Sequence, residues 1–364
     1  MQDIRQDFKN IPLGQRIPAF GYAVKSKDSK FEKLSFTRHP MGEKDIVIEI
    51  LFAGICHSDI HSARSEWHTG IYPMVPGHEI AGRVVAIGSK VSKFKVGDYA
   101  GVGCMVNSCG KCDACKRSQE QFCENGQCVF TYNCQDCFHN NEPTYGGYSN
   151  NIVVNEHFAV CVPKDAPLDK VAPLLCAGIT TYSPLKFSGV KKGDKVAVAG
   201  FGGLGVMAVK YALAMGAEVY VFARNRNKEK EALNLGVTKF FDSTQDIKER
   251  FNLIISTIPT SYDPMEYINL LKFGGELAIV GLPPREVSPD INITNLVYNA
   301  GRKVYGSLIG GMQETQEMLD YSLRHKIYPE TEIIRADQID EAYENLTSGK
   351  AKFRYVIDMQ TLQD

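Results

Sequence analysis

At 364 residues the chain is long enough for two domains, each with its own core. Its 44% hydrophobic and 23% charged residues are those of an ordinary globular protein, and 41 basic against 42 acidic side chains leave a net charge of −1. That balance argues against a nucleic-acid or membrane-surface partner, and no stretch approaches the roughly 20 apolar residues of a membrane span.

The opening stretch, MQDIRQDFKNIP, has no apolar core of the kind a secretory signal carries, so the expected location is cytoplasmic. The first thirty residues carry Gly14, Pro18 and Gly21 without a long periodic pattern and read as a lead-in. DIVIEILF (45–52), AGRVVAIG (81–88), VGDYAGVG (96–103), YGGYSNNIVVN (145–155) and HFAVCVP (157–163) read as strands broken by Gly and Pro. They describe a small, irregular, barrel-like β domain. Residues 168–189 read as one helix. Six strands then alternate with helical segments: KVAVAG (195–200), EVYVFA (218–223), TKFF (238–241), NLIISTI (252–258), GELAIVG (275–281) and KVYGSLIG (303–310). That alternation predicts a parallel sheet in a doubly wound dinucleotide fold. A helix over 313–326 and a strand over 352–359 are expected to return the chain to the first domain.

Four stretches carry chemistry. The segment from Cys56 to Glu79 supplies a thiol, an imidazole at His78 and the Glu79 carboxylate, a donor mix suited to Zn²⁺. A catalytic zinc needs a third protein ligand and one open position. Near Cys56, the Ser58 hydroxyl could receive the proton of an alcohol held at the metal. His61 could carry that proton outward, and Asp59 could orient His78 through its second ring nitrogen. Cys109, Cys112, Cys115 and Cys123 are spaced to close a tetrahedral four-thiolate site. An iron–sulfur cluster competes for that spacing, but no proline follows Cys123 and zinc is favoured. With no vacancy, that site is structural.

GFGGLG (200–205) follows a strand and opens a helix, where Gly200, Gly202, Gly203 and Gly205 would let a pyrophosphate approach the helix N-terminus. After the second strand of that fold, an NAD site would present an acid to the ribose 2′-OH. This chain has Arg224, Asn225, Arg226 and Lys228, which favour the 2′-phosphate of NADP(H). The eleven cysteines are expected to be reduced, with Cys104 and Cys161 as small buried residues. His39, His68, His139, His157 and His325 are assigned no role.

With the cysteine lobe, the GHE triplet and the glycine loop together, the chain resembles the zinc-dependent medium-chain alcohol dehydrogenases. Within them it is similar to the cinnamyl alcohol dehydrogenase-like branch, typically NADP-dependent. The resemblance runs from about Gly21 to Asp358 through GICHSDIH, YPMVPGHEIAG, CAGITTYSPL, GFGGLG, VGLP and VYGSLIGG. It implies an α/β protein with a GroES-like β-rich catalytic domain (1–174 and 311–364) and a doubly wound parallel-sheet (Rossmann) nucleotide-binding domain (175–310), the site lying in the cleft between them.

The resemblance supplies Cys176 as third ligand of a catalytic zinc and makes Glu79 an exchangeable one. It implies Zn²⁺ at two sites per chain, one catalytic and one structural. Ser58 and His61 match the proton relay and Asp59 the carboxylate behind the ligand histidine. His57, Thr180, Leu204, Thr257, Gly281, Leu282 and Arg354 match cofactor positions, with His57 near the pyrophosphate and Arg354 on a phosphate. Trp67, Phe130 and Leu308 match pocket positions, an apolar slot for aromatic or longer aliphatic aldehydes. The implied activity is reversible, zinc- and NADP(H)-dependent oxidoreduction of alcohols and aldehydes. The implied assembly is a homodimer joined through the nucleotide domain near 300–310. The competing reading is a non-catalytic, nucleotide- and zinc-binding redox sensor. The chain departs from plant relatives at Arg224 and Arg226, and by three further cysteines in the segment 128–141.

Overall fold

The structure is a computed structural model that describes residues 14–287, 289–351 and 353–363. The N-terminal stretch read for a leader lies outside the described residues. The chain forms two compact units. One comprises Met1–Cys176, Gly311–Asp320 and Tyr328–Asp364; the other comprises Ala177–Gly310 and Tyr321–Ile327.

In the first unit, β1 (Ile17–Ala23) and β2 (Glu32–Arg38) form an antiparallel pair where the sequence suggested only a lead-in. Pro18 and Gly21 mask the alternation that buries Ile17, Ala19 and Ala23. The central strand is β3 (Asp45–Gly54), whose Ile46, Val47 and Ile48 have no exposed surface. On one edge it pairs antiparallel with β4 (Ile80–Ile87). Its other edge is shared: Asn151–Asn155 pairs with the first half, and the C-terminal strand Arg354–Asp358 with the last residues. The sheet continues from β4 through β5 (Tyr99–Val102) to Val160–Val162, and from the C-terminal strand to Thr331–Arg335, a strand not foreseen. On Val160–Val162 the two-residue period turns both valines inward and Cys161 outward, so Cys161 is exposed rather than buried as expected.

The second unit holds six strands, all parallel. In chain order they are Lys195–Ala199, Glu218–Phe222, Lys239–Phe241, Phe251–Ser256, Leu271–Ile279 and Lys303–Gly306. Across the sheet they run third, second, first, fourth, fifth, sixth, the doubly wound dinucleotide order. Val196, Val198, Leu253 and Ile255 are fully or almost fully buried, as strands covered on both faces require. Tyr220, Phe222, Phe241 and Tyr267 pack with Phe251 into an aromatic cluster.

The helix expected over 168–189 is interrupted. Leu168–Pro173 gives way to a π turn at Leu174–Gly178 before the helix resumes at Ile179–Phe187. Pro173 has no N–H to continue the α-helical ladder, and wider turns of this kind concentrate at functional positions. Cys176 sits in the middle of the turn. Among the described residues no helix is long and apolar enough to cross a membrane.

Candidate active site

Antiparallel pairing of β3 with β4 brings the end of one strand beside the start of the other, with Ala53 opposite Ile80. Cys56 lies two residues past the end of β3, and His78 two residues before the start of β4. Two ligand-type side chains 22 positions apart therefore meet. The Gly54 N–H donates to the Glu79 carbonyl at 2.8 Å. A Cβ at Gly54 would run into the Glu79 carboxylate, so only glycine admits that side chain. Cys176 reaches the same place from the π turn, its Sγ 3.9 Å from Cys56 Sγ. One ligand atom each from Cys56, His78, Glu79 and Cys176 lies within 4.8 Å of the others.

Cys56 caps the short helix α1 (His57–Ala63), and Asp59 in its first turn reaches back to accept the Cys56 N–H at 2.9 Å. The same carboxylate accepts the Gly77 N–H at 3.1 Å and the Tyr148 hydroxyl at 3.2 Å. Its Oδ1 is 2.9 Å from His78 Nδ1. An ionised carboxylate can only accept, so that nitrogen carries a proton, and Nε2 is the ring nitrogen left to face a metal. The Tyr132 ring stacks on His78 with centroids 5.8 Å apart, and its hydroxyl donates to the Ser58 carbonyl at 3.1 Å.

Glu79 is fully buried and ion-paired with Arg354 of the C-terminal strand. Burial raises its carboxyl above the ordinary range, and the Arg354 guanidinium, itself raised by this partner, opposes that and keeps the two an ion pair. Among the described residues Glu79 Oε2 has no hydrogen-bond partner, an orphan that an adjacent cation would satisfy. Arg354 was expected on a cofactor phosphate; here its guanidinium faces Glu79. Cys104, expected as a small buried residue, is only half-buried, and the neighbouring Cys176 thiol draws it below the ordinary thiol range. No periodicity marks Cys104 as a neighbour of the site, because it enters from the loop after β5.

Ser58 lies 3.5 Å from the Cys56 sulfur, and His61 one helical turn further along α1. His61 Nδ1 pairs with Glu66, a partner not foreseen, and its ring stacks on Trp67 at 4.9 Å. His57 is exposed. Phe130 and Leu308 keep 38% and 45% of their surface exposed.

Cys109, Cys112, Cys115 and Cys123 converge separately, ligand atoms within 4.8 Å. Backbone N–H groups of Lys111 and Cys112 donate to Cys109 Sγ at 3.5 and 3.4 Å and pull its thiol down to about 6. Burial pushes Cys115 up to about 12. Cys128, Cys134 and Cys137 lie outside this group.

In the second unit Gly200 takes φ +95°, and a Cβ there would stand 2.6 Å from Thr257 Oγ1. That hydroxyl donates to the Ala199 carbonyl at 3.1 Å, and the Gly281 N–H to the Ser256 carbonyl at 2.9 Å. Gly202 and Gly203 are exposed at the start of the helix Gly203–Ala214, which has no side-chain cap, and Leu204 and Gly205 follow in its first turn. Thr180 is buried and Leu282 exposed. Arg224 is exposed; Arg226 pairs with Asp242 at 2.6 Å, Lys228 donates to the Phe201 carbonyl at 3.0 Å, and Asn225 caps the turn.

Residues 42–164 match the family described as alcohol dehydrogenase GroES-like domain, and residues 203–324 the family described as zinc-binding dehydrogenase. The chain belongs to the zinc-binding alcohol dehydrogenases. It is similar to the solved structure of CAD from Helicobacter pylori complexed with NADP(H), with 61% identity, 95% of this chain and 99% of that one covered, and a TM-score of 0.92. It is 48% identical to the probable formaldehyde dehydrogenase AdhA of Bacillus subtilis, over 93% of this chain and 97% of that protein. It is 42% identical to cinnamyl alcohol dehydrogenase 8 of Arabidopsis thaliana, over 94% of this chain and 95% of that protein.

In this zinc-binding alcohol dehydrogenase the orientation of His78 rests on Asp59. Replacing Asp59→Asn is expected to weaken zinc affinity by about 10–100-fold. Competition against a chelator measures it, and unchanged affinity would refute the orienting role.

Proposed function

We propose that the protein is a zinc- and NADP(H)-dependent dehydrogenase that interconverts primary alcohols, aromatic or longer aliphatic, with their aldehydes by hydride transfer. The observation that carries this reading is the convergence of Cys56, His78 and Cys176 from three separate stretches of chain beside the buried Glu79. Two thiolates and an imidazole suit a catalytic zinc and leave a position for substrate. Zinc held there supplies Lewis acidity toward the substrate oxygen, and the nicotinamide supplies or accepts the hydride.

The chain's own residues do the rest. Asp59 fixes the His78 tautomer with Nε2 toward the metal. The Ser58 hydroxyl exchanges the substrate proton, and His61, steadied by Glu66 and Trp67, passes it outward. Glu79 is the exchangeable ligand, with Arg354 balancing its charge. Trp67 and Phe130 of the first unit, and Leu308 of the second, are the apolar side chains assigned to substrate recognition. Cys109, Cys112, Cys115 and Cys123 close a structural zinc site that takes no part in turnover.

The exposed backbone of Gly202 and Gly203 at an uncapped helix N-terminus suits a pyrophosphate. Gly200, Leu204, Gly205, Thr257, Gly281, Leu282, Thr180 and His57 complete the cofactor contacts. Arg224 reads the 2′-phosphate more directly than Arg226, whose guanidinium is already engaged by Asp242. The relatives' names support the cofactor and substrate class, since they include a complex with NADP(H) and a cinnamyl alcohol dehydrogenase. The same names leave the redox-sensor alternative unfavoured. The protein works in the cytoplasm as a homodimer. Exposed Phe273, Ile293, Val297 and Tyr298 of the nucleotide unit (89%, 69%, 68% and 85%) are a surface a partner copy would cover.

Two substitutions test this reading. Cys176→Ala should abolish NADPH-dependent reduction of benzaldehyde or cinnamaldehyde while NADPH still binds, and full activity would remove Cys176 from the ligand set. Arg224→Ala should raise the KM for NADPH about tenfold or more and leave that for NADH unchanged, the loss of one charge-assisted contact. Equal effects on both cofactors would remove Arg224 from 2′-phosphate recognition.

A further inference from the structure

Beyond the two ligand groups above, a third cluster of ligand-type side chains comes together in the first unit. His39 directly follows β2, and Asp136 and His139 belong to the segment 128–141. One ligand atom of each lies within 4.8 Å of the other two.

The geometry is specific. The two imidazoles stack face to face, centroids 3.6 Å apart and planes within 9°. His139 Nδ1 lies 2.7 Å from Asp136 Oδ2, while Asp136 Oδ1 accepts the Phe138 N–H at 2.9 Å. His39 Nδ1 lies 2.9 Å from the Pro40 carbonyl. A carbonyl only accepts, and so does an ionised carboxylate. In a neutral ring His39 Nδ1 therefore carries the proton and Nε2 is the ligand atom, while at His139 a cation would take the place of the proton shared between Nδ1 and Asp136 Oδ2. A backbone carbonyl behind the ring, as at His39, is what metal-binding histidines usually have.

The surrounding charge is compatible with a cation. Arg38, Asp45 and Glu142 line the same cavity. Arg38 directs its guanidinium at the carbonyls of Tyr145, Gly146 and Asn151 and at Ser149 Oγ. Glu142 is held by both terminal nitrogens of Arg16, at 2.8 and 2.6 Å. Among the described residues the Asp45 carboxylate accepts a backbone N–H from Gly42 at 2.8 Å and no side-chain donor.

We propose that His39, Asp136 and His139 form a further binding site for a divalent cation of the zinc class, distinct from both zinc sites of the dehydrogenase. Two imidazoles and one carboxylate suit Zn²⁺, Ni²⁺ or Cu²⁺ and not Mg²⁺ or Ca²⁺, which take oxygen shells. Binding turns the two parallel rings toward a common point and opens their stack. The cation then ties the end of β2 to a segment a hundred residues away, so it stabilises the fold by mass action without entering the reaction.

The test is titration of Zn²⁺ alone into the full-length, zinc-loaded protein after dialysis, followed by calorimetry and by thermal unfolding with and without added Zn²⁺. One further equivalent is expected, with a rise in unfolding temperature. His39→Gln and His139→Gln should each weaken that equivalent at least tenfold and keep aldehyde reduction. A Cys134→Ser/Cys137→Ser variant should leave it unchanged. The proposal is overturned if the unmodified protein takes up no further equivalent, if both histidine variants bind it as tightly, or if only the cysteine variant loses it. Should a histidine variant fail to fold, the stoichiometry of the unmodified protein still decides.

Discussion

The site depends on one buried carboxylate. Asp59 has no exposed surface, and four donors converge on it: the N–H groups of Cys56 and Gly77, the His78 ring and the Tyr148 hydroxyl. A buried charge is tolerated only when it is paired and hydrogen-bonded, so these donors hold Asp59 as firmly as it holds them. Because one side chain caps α1 and orients His78, two metal ligands on different segments are fixed relative to each other. Tyr148 in turn takes a hydrogen bond from Tyr343 at 3.4 Å. Burial, and then the Asp59 charge, raise both phenols well above their ordinary range, so they remain donors at neutral pH.

A second buried charge closes the other side. Glu79 needs the missing side chain of Gly54 to fit and Arg354 to balance it. Arg354 opens the C-terminal strand that pairs with the end of β3. The last strand of the chain thus delivers a counter-charge to a carboxylate set by the early strands. The catalytic unit is incomplete without both ends of the sequence, which explains in physical terms why the nucleotide unit lies within it in sequence.

Much of this could be read before folding. Alternating apolar residues marked β3 and β4, and their hairpin-like pairing is what makes Cys56 and His78 neighbours. The regular alternation after Lys195 described the six-stranded parallel sheet, because strands buried on both faces must be continuously apolar. Cys176 was a different case: no spacing rule connects it to Cys56, and only family resemblance pointed to it. Its position on a π turn depends on Pro173, whose effect a helical pattern does not show. Contacts between distant segments were equally hidden. Arg354 against Glu79, Cys104 against Cys176 and His39 against His139 each join residues whose proximity is set by sheet order, not by local sequence. Arg226 pairs with Asp242 just past the neighbouring strand, another contact that no local pattern shows.

The central claim is that chemistry at Cys56, His78 and Cys176 requires metal while nucleotide binding does not. The most direct measurement follows zinc content, benzaldehyde reduction and NADPH binding in one sample as a chelator strips the protein and zinc is then returned. The account predicts that reduction falls as zinc leaves that site and recovers on reloading, with NADPH affinity unchanged throughout. Aldehyde reduction that persists undiminished in the metal-free protein would contradict it.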